Sequence, residues 1–336
     1  MRNETRTKYN KVMTELAKLN NVEDVSKKFT VTPSVQQKLE DRIQQSSEFL
    51  KKINIYLVNE QSGEAIGLDI NCPIASRTNT NVKDRQANDP SALDSRFYLC
   101  RKTDFDTSIK YSKLDQWAKF RDFYSRIRGK IVKRQALDRI MIGFNGTSIA
   151  ADTDIVANPK LQDVNKGWLQ KMREENESRV MKSGATQGKI TVGKTGDYKN
   201  LDALVMNIVD EMIDEVHQEN PGLVVMCNRR TVSDKYFPLV NKDQDNSEKL
   251  AADIIISQKR MGNLPVYAVP YFPEGIILVT TFDNLSIYVQ EGSRRRTVID
   301  NPKRDQIENY ESSNEDYFIE ELGLACMAEN IEILAE

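Results

Sequence analysis

The sequence predicts an α+β fold. Three stretches carry this prediction: a long amphipathic helical pattern over residues 112–146, an alternation of helices and strands over residues 199–285, and a strand-rich C-terminal part. In the first stretch apolar side chains recur every three or four residues from Leu114 to Ile131, as on one face of an α-helix. About thirty residues at 1.5 Å each give a rod of roughly 45 Å, so this helix is predicted to be the spine of the fold.

The predicted spine helix has recognisable ends. Ser112 is the predicted N-cap, and the helix is expected to stop at Gly143 or at the Asn145–Gly146 pair. The rest of the chain is expected to lie on this spine.

Composition limits the classes of protein to which the chain can belong. Its 336 residues, of which 39% are hydrophobic and 29% charged, are enough for about two domains with much surface. The 48 basic and 50 acidic residues leave a net charge of −2, which argues against a dedicated nucleic-acid binder. The sequence shows neither an apolar run that could span a membrane nor a signal-peptide core at its start. We therefore expect a soluble protein of the reducing cytosol with no membrane partner.

The residue types needed for enzyme chemistry are scarce. His217 is the single histidine, and it ends a predicted helix over residues 201–217, where the helix dipole favours it without any catalytic role. The four cysteines lie far apart and form no CxxC pair, which argues against a zinc site or a disulfide framework. Carboxylates at Glu311, Glu315–Asp316 and Glu320–Glu321 lie in polar surroundings and are predicted to be surface charge. We expect neither a cofactor nor an enzymatic activity.

The first 52 residues are predicted to form an arm rather than part of a core. Residues 1–28 have the pattern of an amphipathic helix of polar composition. Residues 25–32 are predicted to be an extended, accessible connector. The Thr32–Pro33 pair then supplies the N-cap and first-turn proline of a second helix.

Residues 53–111 are predicted to form a long β-loop that projects from the body. The polar stretch at residues 71–95 has the length and composition of a binding loop or of a segment ordered by a partner. The strands around it are predicted to pair as a hairpin of residues 53–58 with 64–70 and a second pair of residues 97–100 with 105–111.

The C-terminal part is predicted to return to the spine. Strands are expected at residues 285–289 and within residues 317–333, separated by a basic turn at Arg294–Arg296. These last strands are too apolar to be free, so we expect them to pack beside the spine helix.

Residues 188–195, GKITVGKT, match the phosphate-loop pattern GxxxxGK[ST]. That pattern binds nucleotides only where a buried strand leads through a flexible loop into a helix whose N-terminus holds the phosphate. Here the preceding residues are polar, the residues after Gly188 are themselves strand-like, and Gly196 interrupts any helix that begins at Lys194. A nucleotide-binding enzyme that uses Gly188–Thr195 is therefore an alternative that the context disfavours.

The spine carries far more basic than acidic residues. Four of them, Lys119, Arg126, Lys130 and Lys133, are predicted to share one stripe away from the apolar face. A solvated face with i,i+4 ion pairs explains most of this charge, and from the residues alone we favour it. The alternative is a non-specific contact with phosphates, because Lys130 and Lys133 have no acid at that spacing.

Several long segments are specific enough to indicate a family. They are MRNETR at the start, VSKKFTVTPSV from Val25, LDQWAKF, IVKRQALD and GFNG in the spine, LQDVNKGWLQK from Leu161, DKYFPLVNKDQDNSEKLAADIIISQKR from Asp234, GNLPVYAVPYFP from Gly262 and NPKRDQIENYESSNEDYF from Asn301. On these segments the chain resembles the major capsid proteins of P2-type tailed phages (peduovirus-like), and through them the Hong Kong 97-type capsid fold. The resemblance covers essentially all of the sequence.

The resemblance gives the parts of the chain names. It implies an N-terminal arm (1–52), an extended E-loop (53–111), a peripheral domain (112–198) with its spine helix (112–146), an axial domain (199–285) and return strands of the peripheral domain (286–336). It also implies that residues 1–29 are removed on maturation, with the cut near Phe29 and Thr30.

The resemblance implies a structural function. The chain would be a major capsid (head) protein that self-assembles as hexamers and pentamers into an icosahedral shell around double-stranded phage DNA. The implied partners are a scaffolding protein that is also the maturation protease, and a portal protein, with assembly in the host cytoplasm and a final place in the virion. In that family the spine lies toward the shell interior, so Lys119, Arg126, Lys130 and Lys133 are expected to face the DNA. An encapsulin-like, non-viral shell protein is the alternative within the same fold.

Overall fold

A computed structural model of the chain describes residues 1–69, 75, 77–85, 92–120, 123–240 and 259–334. The helices are α1 (Asn3–Asn20), α2 (Pro33–Gln45), α3 (Tyr111–Trp117), α4 (Phe123–Asn145), α5 (Trp168–Glu175), α6 (Leu201–Met212), α7 (Glu215–Gln218) and α8 (Arg229–Val240). The strands are β1 (Phe29–Thr30), β2 (Asn54–Val58), β3 (Ser62–Asp69), β4 (Ala92–Leu99), β5 (Arg101–Asp104), β6 (Thr107–Lys110), β7 (Val180–Met181), β8 (Ile190–Val192), β9 (Val224–Cys227), β10 (Arg260–Met261), β11 (Leu264–Ala268), β12 (Ile277–Thr280), β13 (Leu285–Gln290), β14 (Arg295–Asn301), β15 (Gln306–Ile319), β16 (Cys326–Ala328) and β17 (Ile331–Ile333).

Most of these strands belong to two sheets. The first sheet has the order β1-β14-β15-β13-β2, and β5 and β6 also pair with the long strand β15. The second sheet has the order β10-β11-β9-β12-β16-β7. β3 and β4 form a separate antiparallel hairpin, and β17 pairs with β8. This mixture of helices and largely antiparallel sheets confirms the predicted α+β class.

The second sheet is buried on both faces. In β9, Val224 and Met226 belong to the main core, whereas Val225 and Cys227 belong to a second core around α6. Successive side chains of a strand point to opposite faces, so a strand between two cores must be apolar at every position. The uninterrupted apolar run at residues 223–227 is typical of such a buried strand.

The spine consists of two helices, so the prediction of one continuous helix over residues 112–146 is wrong. α3 ends at Trp117, and the chain turns through residues 118–120 before α4 begins. Ala118 is buried, and its carbonyl accepts a hydrogen bond of 2.6 Å from the Nζ of Lys8 on α1. Basic side chains often donate hydrogen bonds to the last carbonyls of a helix. A tertiary contact with the N-terminus therefore accompanies a break that local propensity does not predict.

The two ends of the spine differ in how well they were predicted. α4 ends at Asn145, which confirms the predicted stop. Ser112 is not the N-cap, because it lies inside α3, whose N-cap is Lys110. Asp115, three residues after Ser112, accepts a hydrogen bond of 2.9 Å from the backbone N–H of Arg2.

The second helix of the predicted arm belongs to the main core. Thr32 is the N-cap of α2 and Pro33 its first residue, as predicted. Ile43 of α2 and Phe49 and Leu50 after it are buried in the same core as Trp168. The amphipathic pattern predicted the helix but not that it packs in the main core. The prediction of an arm rather than part of a core is therefore wrong for α2.

Only the central hairpin of the predicted β-loop is separate from the sheets. β2 pairs in parallel with β13, and β5 and β6 pair with β15, so neither predicted strand pair exists. Instead β3 pairs with β4, with Gly63 opposite Tyr98. Alternating hydrophobicity shows which face of a strand is buried but not which strand lies beside it. Of the predicted polar loop, residues 71–74, 76 and 86–91 lie outside the described part of the chain.

The C-terminal strands return to the body but divide between its two sheets. β15 lies in the first sheet and is joined to α4 by an Arg139–Glu315 ion pair, as expected for strands beside the spine. β16 pairs with β12 in the second sheet. The predicted basic turn is also wrong, since Arg294 is fully buried and Arg295 begins β14.

Candidate functional site

The described residues do not support the enzyme alternative. In this part of the chain no group of three or more His, Cys, Asp or Glu side chains could hold a metal ion. In the phosphate-loop match, Ile190–Val192 form β8 and pair with β17, and the next helix begins only at Leu201. The strand–loop–helix order that a phosphate site requires is therefore missing from the described structure of Gly188–Thr195.

The isolated histidine and cysteines have structural surroundings. The predicted helix over residues 201–217 ends early, because Ile213 is extended and buried, and His217 lies in the short helix α7, where it contacts Glu321. Burial raises the pKa of both Cys100 and Cys227 to about 12, which keeps these thiols protonated and unreactive. Cys72 lies outside the described residues. Among the described helices, none is both long and apolar enough to cross a membrane.

The N-terminal segment, residues 1–31, is docked on the spine through an apolar face. Leu16, Val25, Phe29 and Val31 are buried in one cluster. The cluster is completed by side chains from α3, β14 and β15, namely Tyr111, Leu114, Val298 and Ile307. Because Val25, Phe29 and Val31 are buried, the prediction that residues 25–32 form an accessible connector is wrong.

Polar contacts add to this docking. Arg6 of α1 forms an ion pair with Asp300 of β14, and the hydroxyl of Tyr111 donates a hydrogen bond to the same carboxylate. Burial would raise the pKa of Asp300, but the hydrogen bonds from Arg6 and Tyr111 outweigh it and hold this pKa below its ordinary value. Together with the contacts of Arg2 and Lys8 described above, these bonds tie the N-terminal segment to α3, to the residue that follows it and to β14.

The candidate cleavage residues lie at the end of the N-terminal segment. Phe29 and Thr30 form β1, with Phe29 opposite Arg296 and Thr30 opposite Arg295 of β14. The side chain of Phe29 is 7% exposed, whereas Thr30 is exposed. Proteases bind extended, unpaired backbone, so the Phe29–Thr30 bond must leave the edge of the first sheet before it can be cut.

We predict that the substitution Phe29→Ser opens this segment. Loss of the buried ring should raise the rate of limited proteolysis within residues 21–31 by about tenfold or more, because cleavage of a locally opened site follows the population of the open form. Mass spectrometry of the fragments measures this rate. Thr30→Ser, at the exposed neighbour, is the matched control and should cleave like the unaltered chain. Equal rates for Phe29→Ser and the control would show that the ring does not hold the segment.

An ionic network is buried between α2, the spine and the first sheet. Arg139 of α4 donates hydrogen bonds of 3.0 and 2.6 Å to the two carboxylate oxygens of Glu315 and one of 2.5 Å to Glu40. Arg294 donates bonds of 2.5 Å to Glu40 and 2.8 Å to Glu311. All five side chains are at most 5% exposed. The prediction that Glu311 and Glu315–Asp316 are surface charge is therefore wrong.

The network keeps the carboxylates of Glu40 and Glu311 ionised. Burial alone would raise the pKa of Glu40, but Arg139 and Arg294 together outweigh it and hold this pKa below its ordinary value of 4.5. Burial alone would also raise the pKa of Glu311. The charge of Arg294 outweighs burial, so the pKa of Glu311 is lowered as well. Since Glu40 lies on α2, the network fixes the chain immediately after the N-terminal segment.

These lowered pKa values predict the direction of acid sensitivity. A carboxylate whose pKa is lower in the folded state contributes stability that is present above its unfolded value of 4.5 and lost as the pH falls through the folded value. Between about pH 6 and about pH 3 the midpoint of urea unfolding should therefore fall, and less steeply in Glu40→Gln, which has one such carboxylate fewer. Glu15→Gln, at an exposed side chain of α1, is the control and should fall like the unaltered chain. Parallel curves for Glu40→Gln and the unaltered chain would contradict this assignment.

The basic stripe is brought together only in part. Arg126, Lys130 and Lys133 line one cleft with Trp117 and Phe120, whereas Lys119 lies exposed on the turn between α3 and α4 and outside the cleft lining. The stripe was predicted to lie away from the apolar face. Instead the Nζ of Lys130 is 5.0 Å from the centroid of the Trp117 ring, because the break in the spine changes the relative rotation of its two helices.

The base of the β3–β4 hairpin is clamped to the first sheet. Arg96 donates hydrogen bonds to the backbone carbonyls of Ile319 and Glu320, and its guanidinium lies 4.3 Å from the centroid of the Phe318 ring. The backbone N–H of Leu99 donates a bond of 3.0 Å to Asp316, which Lys171 also contacts. The clamp fixes where the hairpin leaves the body.

The chain resembles known capsid proteins over its whole length. The family model described as phage major capsid protein, P2 family, matches residues 8–331. The capsid protein of Escherichia phage P2 is 51% identical, with 99% of this chain and 96% of that protein covered. The major capsid protein of Serratia phage KSP20 is 37% identical, with 98% and 97% covered.

Solved structures agree with the sequence relatives. A chain of the satellite phage P4 procapsid, which includes the size determination (Sid) protein, matches with a TM-score of 0.83 at 47% identity and 99% coverage of both chains. The capsid of an empty GTA particle matches with a TM-score of 0.53 at 14% identity, over 85% of this chain and 90% of that one, which shows the fold alone. The predicted Hong Kong 97-type capsid fold is thereby confirmed. Because the family model and relatives of 51% and 37% identity cover nearly the entire sequence, the chain belongs to the P2 family of phage major capsid proteins.

Proposed function

We propose that this major capsid protein, which forms an icosahedral phage capsid from copies of itself, builds that shell as hexamers and pentamers around double-stranded DNA. Full-length similarity to the P4 procapsid chain is the observation that carries the proposal. Assembly takes place in the host cytoplasm with a scaffolding protein that is also the maturation protease, and the shell closes on a portal protein. The chain itself acts as shell material and not as an enzyme.

The hairpin is the described element that most needs a neighbouring subunit. Phe97 on β4 is 71% exposed, and Val82 in the segment between β3 and β4 is 79% exposed. An isolated two-stranded hairpin is marginally stable in water, and exposed apolar side chains on it favour a protein partner. In the shell we assign this hairpin to the E-loop, which lies across an adjacent copy.

The division of the chain follows from the same proposal. Residues 1–52 are the N-terminal arm, 53–111 the E-loop, 112–198 and 286–336 the peripheral domain, and 199–285 the axial domain. The pairing of β2, β5 and β6 with the first sheet supports a root of the E-loop within the peripheral domain. Maturation removes residues 1–29, after β1 has left β14.

Particle formation tests this function directly. Electron microscopy of the expressed chain with its scaffolding protein should show closed shells, and intact-mass measurement should show loss of the residues before Thr30. A chain that stays monomeric under all assembly conditions would contradict the proposal. Native particles that enclose a host protein instead of DNA would favour the encapsulin-like alternative.

We predict that the basic stripe contributes a non-specific contact with DNA. In the pair Lys130→Ala and Lys133→Ala, the slope of log affinity for duplex DNA against log salt should become shallower by about two, roughly one for each lost phosphate contact. Lys160→Ala with Lys199→Ala removes the same charge from exposed positions outside the stripe. That control should keep the slope of the unaltered chain. Identical slopes for both double variants would place the DNA contact elsewhere.

A further inference from the structure

The break in the spine creates an open cleft on α4. Its volume is about 540 Å³, within the range of binding clefts, and its lining residues are Trp117, Phe120, Arg126, Gly129, Lys130 and Lys133. Phe120, at the end of the turn after α3, is 52% exposed. A continuous helix would place Trp117 and Lys130 almost four turns apart along one axis, so the cleft exists only because the helix is broken.

The cleft combines apolar and cationic surface. The Cζ of Arg126 lies 5.2 Å from the centroid of the Phe120 ring, and the Nζ of Lys130 lies 5.0 Å from that of Trp117. No acidic side chain occurs among the described residues of the lining. Lys130 and Lys133 favour negative charge on a ligand of this cleft, and the rings of Trp117 and Phe120 favour an apolar group.

Gly129 supplies the space for that apolar group. A Cβ atom built on this residue meets no atom within 4 Å, so the helix surface is open there. A glycine in the interior of an exposed helix costs about 1 kcal/mol relative to alanine. The described residues give no packing reason for this glycine, since none of their atoms outside its own stretch of helix lies within 4 Å of the added Cβ, whereas an inserted side chain would need the gap.

We propose that this cleft binds an acidic amphipathic segment of another protein, with an aliphatic or aromatic side chain seated over Gly129 and carboxylates on Lys130 and Lys133. The inference rests on the proposed function in one respect, since it identifies the chemistry by which the scaffolding protein holds the subunit before DNA enters. Helical segments with apolar anchors bind grooves in this way, and charge complementarity sets their orientation.

The geometry favours a peptide over nucleic acid. A DNA duplex presents phosphates to the three cations but nothing apolar to bury against Phe120. Single-stranded nucleic acid could stack bases on the two rings, but Arg126 and Lys130 already lie over one face of each ring. An apolar side chain flanked by carboxylates contacts both the aromatic rings and the cations of the lining.

The test fills the cleft without changing its charge. Gly129→Leu places a side chain in the gap and keeps every cation, and Gly129→Ala, which adds one methyl group, is the control. The probes are a short synthetic amphipathic peptide of glutamates and leucines, the same peptide with glutamine for leucine, duplex DNA and oligo-dT. Binding to the full chain is followed by tryptophan fluorescence. The chain has 2 tryptophans: Trp168 is fully buried, and Trp117 lines the cleft.

The expected result separates the ligands. The leucine peptide should bind about tenfold more tightly than the glutamine peptide, and Gly129→Leu should weaken it about tenfold while duplex binding stays unchanged. Unchanged peptide binding in Gly129→Leu would overturn the proposal. Oligo-dT binding that Gly129→Leu abolishes, without peptide binding to the unaltered chain, would assign the cleft to single-stranded nucleic acid and also overturn it. Thermal melting of both glycine variants, which should be at least as stable as the unaltered chain, excludes misfolding.

Failure of this inference is distinguishable from failure of the proposed function. If the unaltered chain forms shells with its scaffolding protein but does not bind the peptide, only the cleft assignment is wrong. If the unaltered chain forms no shells under any condition, the proposed function fails whatever the peptide does.

Discussion

Replacing Arg139 by methionine is expected to destabilise the unassembled subunit by about 3–5 kcal/mol, which is the usual cost of removing one partner from a buried ion pair. Arg139 is fully buried and donates hydrogen bonds to both Glu40 and Glu315. Without it the carboxylate of Glu315, which is 1% exposed, would lose the arginine with which it forms its ion pair. The substitution removes little volume, so the loss reports the electrostatic role rather than a cavity.

Urea unfolding of the subunit, followed by far-UV circular dichroism, measures this loss. Lys189→Met is the matched control, because Lys189 and Glu332 form an ion pair whose side chains are both 51% exposed. An exposed pair of this kind contributes at most about 1 kcal/mol, so the control should lie close to the unaltered chain. Similar midpoints for Arg139→Met and Lys189→Met would show that the network is not needed for folding.

The second large effect is expected at Gly167, where α5 begins against the end of α4. A Cβ atom on Gly167 would lie 2.3 Å from the carbonyl oxygen of Gly143 and 2.4 Å from that of Ile142. Both atoms belong to the backbone and cannot rotate away, so the two helices would have to separate. Gly167→Ala should therefore cost about 3 kcal/mol, as overpacking does at a close contact.

Gly129→Ala, within α4, is the opposite case. Because nothing lies within 4 Å of its added Cβ, it should stabilise the subunit by about 1 kcal/mol through helix propensity alone. Thermal melts of the two variants should move in opposite directions. If Gly167→Ala also raised the melting temperature, the close approach of α4 and α5 would be refuted.

The sequence pattern predicted helix ends and strands correctly where these depend mainly on residues within the element itself. The start of α2 at Pro33, the end of α4 at Asn145 and the buried strand β9 follow from capping residues, stop signals and uninterrupted apolar runs. The break after Trp117 could not be predicted in this way, because its hydrogen bond to Lys8 joins residues 110 positions apart. The pairing of β2 with β13 could not be predicted either, because these two strands also lie far apart in the sequence.

The buried network shows which signal was overlooked. Glu311 and Glu315 have polar neighbours in the sequence, so they resemble surface residues, while their arginine partners lie elsewhere in the chain. Arg139, however, lies three residues from both Ala136 and Ile142, which are buried on the same helix. A basic residue within the apolar stripe of a helix requires a buried acid, and this pattern would have predicted the network.

The docking of α1 on the spine has a consequence for the irreversibility of the proposed maturation cleavage. While residues 1–29 are covalently attached, the short link through residues 21–28 keeps α1 near its site at an effective concentration in the millimolar range. A cut between Phe29 and Thr30 turns the same contacts into those of a free peptide, whose occupancy then depends on its dilution. One broken peptide bond thus changes a persistent intramolecular contact into a reversible bimolecular one. Once the peptide has diffused away, no rearrangement of the subunit can restore the original state.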